Sequence, residues 1–108
     1  YTLHYDATTH KQYLRDKGNV ALGKGLALMV TEFGTVEATG NGPIDHAESD
    51  AWWNWMAANH IGWFNWSITD KDETSAALKP GTQAAGWREE QLTESGKLVR
   101  ARLRAAAD

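Results

Sequence analysis

Leu26-Ala27-Leu28-Met29-Val30-Thr31, closed by Glu32-Phe33-Gly34, is the stretch on which the fold reading turns. The first six residues form a nearly continuous apolar run, with Gly23 and Gly25 before it and Gly34 after it. Such a run fits a parallel strand buried on both faces. On its N-terminal side, Thr2 to Ala7 reads as another strand, followed by a T-x-x-Q capping box at Thr9 and Gln12. The helix it opens keeps Leu14, Gly18, Ala21 and Leu22 on one face, and Gly23 and Gly25 stop it.

On the C-terminal side a polar, glycine-rich loop, Thr35 to Pro43, leads to Asp45 and Glu48, the pattern of a helix start. Ala51, Trp52, Trp55 and Met56 give that helix its buried stripe. A third strand runs from about Gly62 to Ile68 and gives way to a loop from Thr69 to Gln91. Loops of that length in compact domains tend to be functional. Thr93 then caps a last helix through Ala106, with Leu98, Val99 and Leu103 available to pack.

Three β-α units in series imply an α/β fold with parallel strands and right-handed crossovers. Three strands leave both edges of the sheet unpaired, which invites association. A full (β/α)8 barrel needs ~250 residues, so 108 residues would supply about three of its eight units. The expected fold is a partial TIM barrel. The start at Tyr1, inside a strand-like segment with no Met and no signal peptide, suggests a piece of a longer or processed chain.

Composition removes several function classes. The formal charge of -3 is scattered, leaving no electrostatic footprint for nucleic acid. Arg100, Arg102 and Arg104 fall near a helix end, where cations complement the dipole. No apolar run approaches ~18 residues, so no membrane span is expected. Without cysteine there is no disulfide, thiolate ligand or thiol nucleophile. Asp70-Lys71-Asp72-Glu73 superficially resembles a calcium loop, yet it lacks the glycine at position six and the glutamate at position twelve. The histidines show no H-x-x-x-H spacing, and neither a phosphate loop nor a G-x-S-x-G elbow occurs. No metal and no cofactor are expected.

In barrels of this kind, chemistry collects at the C-terminal ends of the strands. There stand His4 and Asp6, then Glu32, then Trp66 with Asp70, Lys71 and Glu73. Alternation puts His4 and Asp6 on one side of their strand and Tyr5 on the other. Spacing alone leaves Glu32 as a solvated residue, a helix-start partner or a catalytic carboxylate. It leaves His4 as a core histidine or a site residue, and Lys71 and Glu73 as solvated charges or ligand contacts. The six tryptophans are core packing or, outside helices, platforms for sugar stacking.

Four segments narrow these choices: Tyr1 to His4, Thr9 to Lys17, Val30-Thr31-Glu32-Phe33-Gly34-Thr35 and Trp66-Ser67-Ile68-Thr69-Asp70-Lys71. In order and spacing they resemble bacterial endo-β-1,4-glucanases of glycoside hydrolase family five. Leu92 to Lys97 resembles the start of that family's last helix. The resemblance covers nearly the whole chain and corresponds to strands six to eight of the barrel. Residues 1–108 would then be the C-terminal part of a hydrolase barrel whose N-terminal part lies outside this chain.

The resemblance implies that Glu32 is the nucleophile and that His4 arranges the catalytic carboxyls. Trp66, Lys71 and Glu73 would bind the sugar, with Asp6 beside them. It implies a β-1,4-glucan substrate, no cofactor, and secretion from a bacterium. Where the family usually shows His-aromatic-Tyr-Ala, this chain reads His4-Tyr5-Asp6-Ala7. Asp6 takes the place of a tyrosine whose hydroxyl supports the nucleophile, and a carboxylate near Glu32 would raise the pKa of one of the two. The family's acid/base glutamate follows an asparagine, and no Asn-Glu pair occurs here. The expected partner is therefore the N-terminal half of the barrel or a second copy of this chain. The alternative is a non-catalytic fragment that binds carbohydrate through Trp63, Trp66 and Trp87, or that self-associates.

Overall fold

Three parallel strands hydrogen-bond in the order β1-β2-β3, where β1 is Thr2–Asp6, β2 is Met29–Gly34 and β3 is Trp63–Asn65. A helix follows each strand: α1 (Gln12–Gly23), α2 (His46–Ala58) and α3 (Glu94–Ala106). This is a computed structural model, and it describes residues 1–107.

The ladder contains one irregularity that matters for function. Leu3 pairs with Val30, but His4 pairs with Glu32, so Thr31 is an extra residue in β2. The β2–β3 pairing shows the same insertion, with Val30 opposite Trp63 and Phe33 opposite Asn65. A bulge of this kind re-aims the side chains that follow it. Val30 and Phe33, three residues apart, both lie buried in the core, whereas strict alternation would separate them. Thr31 and Glu32 are both left out of it.

The core lies between the sheet and the helices, where Tyr5, Val30 and Phe33 meet Trp52, Trp53 and Met56. Tyr5 stacks on Trp52 at 4.0 Å between ring centroids, and Phe33 meets Trp53 edge-on at 5.9 Å. Burying each of these side chains contributes roughly 1.5–3 kcal/mol. Arg15 of α1 is buried with them. Its guanidinium lies over the Trp52 ring and reaches Glu48 of α2 at 3.0 Å. At Gly18, a Cβ would come within 2.7 Å of Trp55, so glycine lets α1 and α2 approach closely.

Asp45 and Thr93 cap α2 and α3 as their sequence patterns predict, accepting from the backbone N–H of Glu48 and Gly96. Several readings need correction. Thr9 does not cap α1. Its hydroxyl accepts from the Ala38 N–H, while Gln12 pairs with Arg15 and Asp16. The second strand begins at Met29 rather than Leu26 and is buried on one face only, with Met29 and Thr31 exposed. In α2 the buried pair is Trp52 with Trp53, and Ala51 and Trp55 are half-buried. In α3, Val99 packs while Leu103 stays exposed.

The third strand is shorter than its sequence suggests: it ends at Asn65, and Asn65 and Trp66 both bond the Phe33 carbonyl. The Asn65 amide donates to it at 3.2 Å and the Trp66 N–H at 2.8 Å. The long loop beyond is ordered by an antiparallel bridge between Leu78 and Leu92 and a single 3₁₀ turn, Glu89–Gln91. Arg102 is not merely a dipole partner. It crosses from α3 to donate to Asn54 and lies over Trp53.

Candidate active site

The C-terminal ends of the three strands converge on one depression of about 190 Å³. Five residues singled out from sequence line it: Asp6 from β1, Glu32 from β2, and Trp66, Lys71 and Glu73 from the segment after β3. Trp66 leaves half its surface open, a face on which a sugar ring can stack. Asp70 stands apart and accepts from the Gly81 N–H. His4 sits at the side of the depression. Its Nε2 shares a proton with Thr31 Oγ1 at 2.8 Å, and its Nδ1 is 3.9 Å from Glu32 Oε2. That second distance exceeds a hydrogen bond, so His4 and Glu32 are neighbours without a direct bond.

Glu73 is the most firmly held carboxylate of the group. It accepts from the Ser75 hydroxyl at 3.2 Å and pairs with the exposed Lys71 ammonium at 3.3 Å. Gly40, at φ +84°, passes so close to Glu73 Oε2 that a Cβ would come within 3.0 Å. Only glycine combines that backbone conformation with that clearance.

Asp6 is placed by the register. It pairs with Gly34, and its Oδ1 lies 2.8 Å from where a Cβ on Gly34 would stand. Burial raises the Asp6 pKa. The Glu32 charge raises it further, and His10 and His4 pull the other way. Folding therefore favours protonated Asp6, so between the unfolded and folded pKa values stability falls as pH rises. We expect Asp6→Asn to raise the unfolding midpoint at neutral pH, the advantage vanishing below the ordinary carboxylate range. Paired urea titrations across pH check this, and an advantage independent of pH would contradict it.

The loop after β2 is fastened on both sides. The Thr8 N–H donates to Val36 O and the Ala38 N–H to the Thr9 hydroxyl. The Ser75 N–H donates to Gly40 O and the Thr74 N–H to the Asn41 side chain. Sequence reasoning missed the supporting residues Thr31, His10, Gly40 and Ser75. Only Gly40 had a signal, as part of a glycine-rich loop beside a candidate carboxylate. The tryptophan set Trp63, Trp66 and Trp87 does not form one platform. Trp63 packs on Phe33 and Trp53, and Trp87 lines a separate apolar groove beside β3.

Comparison with known proteins agrees with the fold. The family model described as "Cellulase (glycosyl hydrolase family 5)" matches residues 2–72. Endoglucanase N of Pectobacterium atrosepticum is 46% identical over 109 residues, covering 100% of this chain and 24% of its own length. A solved structure from Cytophaga hutchinsonii superposes with a TM-score of 0.95 at 47% identity, covering 98% of this chain and 35% of that one. The catalytic domain of a Thermobifida fusca endoglucanase, solved with cellotetraose, gives 0.89 at 32% identity, covering 96% and 34%. The chain thus spans about a quarter of the length of the curated relatives it matches. Its three β-α units are part of a (β/α)8 barrel, and the chain belongs to the cellulases of glycosyl hydrolase family 5.

Proposed function

We propose that this chain is the C-terminal portion of a retaining endo-β-1,4-glucanase and supplies its nucleophile. The observation that carries the reading is the placement of Glu32. It lies near the C-terminal end of β2, the bulge turns it away from the core, and it shares a depression with the open face of Trp66. The Glu32 carboxylate attacks the anomeric carbon while a general acid protonates the departing glycosidic oxygen. Water, deprotonated by that same group, then displaces Glu32 from the glycosyl-enzyme. His4 arranges Glu32, Trp66 carries the sugar ring, and Lys71 and Glu73 hydrogen-bond neighbouring hydroxyls.

Retention needs a second carboxyl ~5–5.5 Å from the nucleophile. In this reading it comes from outside the chain, from an N-terminal portion or from a second copy. Thr2, His4, Met29, Thr31 and Phe64 are exposed on the strands, which suits a sheet that continues into a barrel. The cellotetraose bound by the Thermobifida fusca relative supports a β-1,4-glucan as substrate. A polymer of that size does not enter cells, so the reading includes action outside the cell after secretion.

The test is release of reducing sugar from carboxymethylated cellulose, by this chain alone and then joined or mixed with the completing portion. Activity is expected only in the completed barrel. Glu32→Gln should lower it at least about a thousandfold, ~4 kcal/mol of barrier. A 2-deoxy-2-fluoro-cellobioside should label Glu32 in the intact protein. Full activity in the Glu32→Gln protein, or label on another residue, would remove Glu32 as nucleophile.

A further inference from the structure

Asp6 has an arrangement that the reaction scheme above does not use. Gly34 gives its carboxyl room to fold over β2 two residues beyond Glu32, and both acids line the same depression. The nearest basic group, His10, pulls its pKa down but does not donate a hydrogen bond to it. His10 Nδ1 approaches Asp6 Oδ2 at 3.7 Å, but that nitrogen already accepts the Asp6 backbone N–H at 2.9 Å. While that bond stands, His10 carries its proton on Nε2 and has none to offer from Nδ1. On the opposite side, Lys71 is committed to Glu73 at 3.3 Å. His4 Nδ1 lies toward Glu32 rather than bonding to Asp6. The titratable groups around Asp6 are thus His4 on its own strand, His10 in the following turn, Glu32 on β2, and Lys71 with Glu73 beyond β3.

We propose that Asp6 is a positioning residue for Glu32: as a neutral acid it leaves the nucleophile in line, and as a second anion it repels it. This rests on the reading of Glu32 as nucleophile and adds regulation to that site. Two carboxyls sharing a depression, neither hydrogen-bonded to a cationic side chain, lose their protons in two coupled steps. The state with one negative charge is the competent one. Loss of the second proton sets two like charges against each other, and displacement of a reacting group by ~1 Å can cost about a hundredfold in rate. The elevated proton affinity of Asp6 carries this second step toward neutral pH.

Two measurements on the completed barrel test the proposal. In the first, carbon-13 NMR follows the Asp6 carboxyl through a pH titration in wild type and in Glu32→Gln. Its midpoint should move to lower pH once Glu32 is uncharged, and an unmoved midpoint overturns the proposal. In the second, kcat/KM for an aryl cellobioside is compared at about pH 8, well above the ordinary carboxylate range, and at about pH 4, within it. The ratio of the two rates should rise about tenfold in Asp6→Asn, which keeps a neutral polar group but cannot ionise. Asp6→Ser should raise it in the same direction. A wild-type ratio in both variants overturns the proposal. An active Glu32→Gln enzyme would instead remove the nucleophile reading and leave the NMR coupling as found.

Discussion

Gly96→Ala is expected to destabilise the protein by about 3 kcal/mol, the upper range for overpacking a tight contact. Gly96 lies in the first turn of α3, directly against the chain at Ala77. A Cβ built there drives into the Ala77 carbonyl oxygen, which is rigid backbone rather than a movable side-chain tip. That carbonyl is already fixed by the Thr93 N–H at 3.0 Å, and the Thr93 hydroxyl holds the Ala76 carbonyl next to it. Ser95 adds a buried bond to Thr35 at 2.7 Å, so α3 cannot slide away without breaking contact with the end of β2. Urea unfolding of the variant measures the loss. Gly23→Ala is the matched control, because a Cβ there meets nothing within 4 Å and should change stability little. Equal midpoints for the two variants would show that the segment carrying Ala77 yields freely.

Glu48→Ala should cost a similar amount for an electrostatic reason. Arg15 is only 6% exposed at its side chain, and its one carboxylate partner among the described residues is Glu48. Removing that partner strands a cation above Trp52, in the class of changes that costs about 3–5 kcal/mol when the pair is fully buried. Glu48 retains some exposure, so the lower end applies. The double replacement Arg15→Met with Glu48→Leu removes both charges and should recover most of the loss, within about 1 kcal/mol of wild type. A double-mutant cycle by urea unfolding gives the coupling. A loss below about 0.5 kcal/mol for Glu48→Ala would place the pair among solvated surface ion pairs.

The order of elements and two of three helix starts were legible because they depend on local chemistry. Asp45 and Thr93 need only their own following turns to act as caps. Thr9 failed because its hydroxyl serves a loop 29 residues away, a demand that its own neighbourhood does not record. Burial in α2 was misjudged because Trp52, Trp53 and Trp55 crowd three indoles into four positions, and periodicity cannot rank them. Arg15 reads as a solvated charge until Glu48 and Trp52 are brought around it.

The bulge was the largest hidden feature. Counting alternately from Val30 sends Glu32 into the core with it, and only pairing with both neighbouring strands reveals the extra residue. Family resemblance supplied Glu32, Trp66, Lys71 and Glu73 as candidates, and the fold brings them together with Asp6. Their convergence depends on backbone hydrogen bonds between loops, which leave no periodic trace in sequence.

Those cross-loop bonds carry a consequence for how such a protein can change. The segment from Thr35 to Pro43 is bonded to the turn after β1 and to the turn after β3, through main-chain groups as well as side chains. An insertion in one of the three would detach the other two, whatever its own side chains. Specificity cannot be exchanged one loop at a time. The three form a single transferable cassette, and a graft that moves all of them together should keep its shape where a lone graft would not.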